Sequence, residues 1–132
     1  MKKLIVVGLF LLSLCQVQGQ NQPKEINNEL YKTTDVEIKP EFPGGMQMFY
    51  KYIGANFKLP RDKDFKGGRM FASFTVGTDG KITDIKVKDL GFGTKEELIR
   101  VLENSPLWIP AELNGQKVRC SYVLPVSLGS NN

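Results

Sequence analysis

Residues 68–89 read GRMFASFTVGTDGKITDIKVKD, and their pattern decides the fold. Met70, Ala72, Phe74 and Val76 alternate with Phe71, Ser73 and Thr75, the two-residue period of a strand with one buried face. Gly77-Thr78-Asp79-Gly80 turns the chain, Asp-Gly being a strong hairpin signal. A second strand runs from Lys81 to Asp89 with Thr83, Ile85 and Val87 on one face. Ile82 is out of phase with them, which predicts an irregularity near Thr83.

Outward from this hairpin, both flanks supply a helix. Met46, Phe49, Tyr50, Ile53 and Phe57 share one helical face after Phe42-Pro43-Gly44-Gly45, and Pro60 ends the segment. Downstream, Thr94 and Glu97 predict a capping box, and Glu96 stands four residues before Arg100 in the favourable order. Leu98, Val101 and Leu102 give that helix its apolar stripe, and Asn104-Ser105-Pro106 stops it. Asn114-Gly115 turns into a last strand from Lys117 to about Leu128, with Val118, Cys120, Tyr122, Leu124, Val126 and Leu128 on one face. The expected fold is α+β: a three-stranded antiparallel sheet with two helices on one face, in the order α-β-β-α-β, spanning residues 36–132. Val36 to Lys39 is read as a short strand ended by Pro40.

The N-terminus reads as an export signal. Lys2 and Lys3 precede an apolar run from Leu4 to Cys15, which is too short to span a membrane before polar Gln16 and Gln18. Val17 and Gly19 fit a cleavage site, so residues 1–19 are expected to leave a periplasmic chain beginning at Gln20. Two other readings place the protein on a membrane: Cys15 as a lipid-modified N-terminus, which Leu14 disfavours, or an uncleaved inner-membrane anchor. Residues 20–35 are polar and aperiodic, and are read as a disordered leader.

Composition excludes several function classes. The chain of 132 residues has no histidine, removing the commonest general base and metal ligand. Its two cysteines, Cys15 and Cys120, build neither a zinc site nor a disulfide framework. The charge of +4 includes Lys2 and Lys3, so the remaining surface is nearly balanced and carries no nucleic-acid signature. In Lys58 to Lys66, Asp62 and Asp64 interrupt the basic residues, as in a solvated loop. Gly91-Phe92-Gly93 lacks the third glycine of a dinucleotide loop, and Glu96-Glu97 fits stabilisation of a helix N-terminus. Trp108, between Pro106 and Pro110, is read as a core plug, and Cys120 as a buried core thiol. No catalytic residue, cofactor, metal site or small-molecule substrate is expected, and the protein is not read as an enzyme. The rival class, a small exported enzyme using Cys120 or a Ser/Lys pair, has no nucleophile motif behind it.

From Pro40 to Leu128 the motifs together resemble the C-terminal domain of the TonB energy-transducer family. They are Pro40-Glu41-Phe42-Pro43-Gly44-Gly45, Leu59-Pro60, Gly68, the hairpin from Phe74 to Ile82, Ser105-Pro106-Leu107-Trp108-Ile109-Pro110, Asn114-Gly115-Gln116-Lys117-Val118, and Leu124-Pro125-Val126. The resemblance implies the three-stranded fold described above. It also implies that the last strand pairs with a short segment of an outer-membrane receptor. With the export reading and no Pro-rich rod, the expectation is a stand-alone exported member. Val118 to Leu128 is then an exposed sheet edge that captures an extended peptide of an envelope or outer-membrane transport protein. Arg119, Ser121, Val123 and Ser127 point away from the core face and are expected to contact the partner. Pro125 fits an edge strand and removes one donor, so pairing is expected to weaken beyond Leu124. Alternatives are a structural or inhibitory envelope adaptor with no transport role, an anchored transducer, and a homodimer formed through the same edge.

Overall fold

The computed structural model describes residues 28–88 and 90–130. Its elements are β1 (Leu30–Lys32), α1 (Met46–Asn56), β2 (Gly68–Val76), β3 (Ile82–Lys88), α2 (Thr94–Glu103), β4 (Ala111–Leu113) and β5 (Gln116–Leu128). The hairpin of β2 and β3 closes through a three-residue loop. Gly77 N–H donates to Lys81 O at 2.9 Å, and Gly80 takes a φ of 82°. The expected irregularity is a bulge. Thr75 pairs with Thr83 but Ser73 pairs with Lys86, so β3 uses an extra residue, and Asp84 carries a φ of 53°. The bulge resets the phase: Ile82, Ile85 and Val87 are half-buried against the core, while Thr83, expected beside Ile85 and Val87, is exposed.

β2, β3 and β5 are the three antiparallel strands that were expected, but the sheet is larger and mixed. Its order is β1-β5-β2-β3, with β4 also on β5. β4 joins β5 through the two-residue turn at Asn114 (φ 52°) and Gly115 (φ 73°). β1 runs parallel to β5, with Leu30, Tyr31 and Lys32 opposite Arg119, Cys120 and Ser121. The disordered-leader expectation is therefore wrong for Leu30–Lys32, while residues 1–27, including the export signal, lie outside the described residues. Tyr31 supplies the reason: it packs against a small cluster of Ala111, Val118 and Cys120 that exists only in the folded chain. Val36 to Lys39 does not form the expected strand; Ile38 makes only an isolated bridge to Glu112.

Both helices bury their stripes against the same face of the sheet. Phe49 and Ile53 of α1 and Leu98, Val101 and Leu102 of α2 share a core with Met70, Ala72, Phe74, Val76, Leu124 and Val126. On α1, Tyr52 rather than Tyr50 turns inward, and its hydroxyl donates to Val101 O at 2.7 Å. Tyr50 is left 49% exposed. The capping box of α2 does not form. Gly93, with a φ of 76°, takes the cap position, and Thr94 is the first helical residue, its hydroxyl donating to Gly91 O at 2.7 Å. Glu97 instead accepts from Arg100 Nε at 3.0 Å and from Lys58 N–H at 2.9 Å, tying α2 to the segment after α1, and Arg100 pairs with Glu97 rather than Glu96. Trp108 is a buried plug, as expected, ringed by Phe42, Phe49, Phe74 and Tyr122. The loop from Lys58 to Lys66 is exposed except for half-buried Pro60 and buried Phe65. That ring is buried edge-on to Phe92, after an Asp62 turn in which Asp64 N–H donates to Oδ1.

Candidate functional site

β5 is flanked by β2 along most of its length, so it is not an edge strand as a whole. β4 pairs with Gln116 to Val118 at its start, and on the side away from β2 the strand β1 covers Arg119 to Ser121. From Tyr122 to Leu128, no strand among the described residues lies on that side. The expected edge from Val118 is thus shortened to Tyr122–Leu128, because the chain's own β1 occupies its beginning.

Backbone direction along β5 follows from Glu112. Its N–H donates to Ile38 O at 3.0 Å and its C=O accepts from Ile38 N–H at 3.1 Å, so both groups turn away from β5. Ala111 and Leu113 therefore face β5, opposite Val118 and Gln116. The register of β5 with β2 is continuous, so the alternation carries through without a slip. In the β2–β3 hairpin Gly77 N–H donates to Lys81 O, so odd residues of β2 face β3 and even ones, from Val76 opposite Cys120 down to Gly68, face β5. Even-numbered residues of β5 therefore direct their N–H and C=O to β2 and β4, and odd-numbered ones direct theirs to the outer side. Val123 and Ser127 thus present backbone donors and acceptors along the free edge. Pro125, opposite Phe71, also faces outward, so its missing N–H is lost from the edge and not from the β2 ladder. Beyond Leu124 the free edge lacks one donor.

The four expected contact residues divide into two pairs. Arg119 and Ser121 are half-buried beneath β1: Arg119 Nη1 donates to Asn28 O at 2.9 Å and Ser121 Oγ donates to Tyr31 O at 3.3 Å. Val123, 67% exposed, and exposed Ser127 flank the free edge. Sequence reasoning missed the neighbouring groove. Tyr50, Ile53, Gly54 and Phe57, with Leu59, form one wall, and Pro125 to Gly129 form the other. Arg69 also lines the groove, which encloses about 550 Å³. The exposure of Leu59 and the glycine at position 54 were the available signals, since neither serves the core.

Cys120 is buried, and burial, then the negative charge of Asp35, pushes its thiol pKa up, away from the nucleophilic thiolate. Burial likewise raises the Tyr122 phenol, whose hydroxyl points to Met46 Sδ at 3.6 Å. Among the described residues no cluster of three His, Cys, Asp or Glu could hold a metal ion. No helix among them is long and apolar enough to cross a membrane. No family model matches this chain, and no curated protein matches it.

Proposed function

We propose that the protein is an exported binding module that captures an extended peptide of an envelope or outer-membrane transport protein by adding a strand at Tyr122–Leu128. The observation that carries this reading is the outward backbone of Val123 and Ser127 beside an apolar groove. Backbone pairing supplies affinity that is indifferent to sequence, and a groove on one side admits alternate side chains of the guest. Val123 borders the guest away from the groove and Ser127 lines the groove itself, whereas Arg119 and Ser121 are committed to β1. The resemblance to the TonB C-terminal domain supports the partner class.

The test uses synthetic peptides from the periplasmic N-terminal segments of outer-membrane receptors of the same cell. A Cβ at Gly54 meets nothing within 4 Å, so Gly54→Leu fills the groove without disturbing the core. A peptide that binds the native protein should bind this variant at least about tenfold more weakly, the loss expected when an apolar subsite is filled. Undiminished binding would remove the groove from the reading. Export is tested by mass spectrometry of the native protein, which should lack the first nineteen residues. An intact N-terminus in the inner-membrane fraction would restore the anchored transducer.

A further inference from the structure

Two short segments of the chain pair with the first half of β5, and they are held very differently. β4 is fixed by its turn, by the Glu112 bonds to Ile38, and by Ala111, which is fully buried. β1 is three residues long, with Leu30 and Lys32 exposed and Tyr31 half-buried. It borders the free edge directly, and a turn in which Asp35 N–H donates to Lys32 O at 3.0 Å lifts the chain away where Tyr122 begins. Short parallel pairings with long connections are the first to open in a folded domain.

We propose that β1 is an exchangeable strand: residues 28–32 occupy Arg119–Ser121 until a partner strand that extends past Tyr122 replaces them. This rests on the reading that Tyr122–Leu128 accepts a guest strand. The accessible edge then grows from seven residues to ten, and the N-terminal segment sets both the length and the affinity of the peptide that is held. A guest entering parallel to β5, as β1 does, continues the same ladder in the same register.

The probes are two synthetic peptides. NELYKVTVTV copies residues 28–32 and continues along the free edge, and KVTVTV covers the free edge almost alone. Alternation directs the backbone N–H of Tyr31 at β5, so Tyr31→Pro in the full mature chain should release β1 while leaving β2, β3 and α2 intact. The long probe should bind the variant about tenfold more tightly than the native protein, and the short probe should bind both alike. Amide exchange in the native protein should be faster at Ser121, whose N–H faces β1, than at Cys120, whose N–H faces β2. Equal gains for both probes, no gain for the long one, or protection of Ser121 equal to that of Cys120 would make β1 a fixed part of the sheet and overturn the proposal. Failure of both probes and of every receptor peptide to bind either protein would instead remove the capture reading beneath it.

Discussion

The backbone N–H of Trp108 donates to Gly80 O at 2.9 Å, fastening the loop of the β2–β3 hairpin to the plug that closes the aromatic core. Gly80 has a φ of 82°, and a Cβ there would collide with the Trp108 carbonyl. Both effects oppose any side chain. Gly80→Ala should destabilise by about 2–4 kcal/mol, from left-handed backbone strain together with overpacking. Urea unfolding measures this, with Gly91→Ala as a reference. Gly91 has a similar φ of 79° and open space around its Cβ, so it should show the strain without the collision. Equal losses at the two positions would mean that the Trp108 contact contributes nothing.

Cys120 faces the cluster of Ala111 and Val118 beneath Tyr31. Cys120→Ser should cost about 1–3 kcal/mol, because a hydroxyl replaces a small apolar group in that cluster. In the native protein the thiol should react with a thiol reagent far more slowly than in urea. Equal rates in the folded and unfolded protein would contradict its burial.

Glu97 gives a pH dependence of known sign. Its hydrogen bond from Arg100, helped by Lys58 N–H, holds the carboxyl below the usual carboxylate range against the opposing effect of burial. The stabilisation is present above the unfolded-state pKa of about 4.3 and is lost as pH falls through the lower folded value. Glu97→Gln should therefore melt below the native protein at neutral pH, and the gap should close in acid. A gap that persists unchanged at about pH 2.5, below both pKa values, would assign the effect to packing instead of charge.

How much of this was legible depended on the range of the interaction. The phase of β5 was readable because Val118, Cys120, Leu124 and Val126 repeat every second residue and all face the core. The bulge was readable because Ile82 breaks that rule in β3. β1 was not, because Tyr31 finds its strand partners some ninety residues away and its neighbours are polar. The capping box failed for a local reason: Gly93 in the left-handed region moved the helix start, and Thr94 fell one position inside it. The site was half legible. Side-chain phase placed Val123 and Ser127 on the outer face, but backbone direction depends on which strands flank β5, and side-chain alternation does not encode that.

Backbone direction makes the last prediction. Leu124 and Val126 turn their N–H groups to β2, opposite Ala72 and Met70, and Val123 and Ser127 turn theirs to the free edge. Hydrogen exchange along the end of β5 should therefore alternate, with Val123 fast, Leu124 and Val126 slow, and Ser127 fast. Burial of side chains argues the same order, since Leu124 and Val126 are buried whereas Val123 and Ser127 are exposed, so the bound peptide separates the two accounts. A captured peptide should slow exchange at Val123 and Ser127 and leave Leu124 unchanged. Protection of Val123 and Ser127 without peptide, growing with protein concentration, would show that a second copy fills the edge. Protection at all concentrations would show that the edge is closed within the monomer and would end the strand-addition reading.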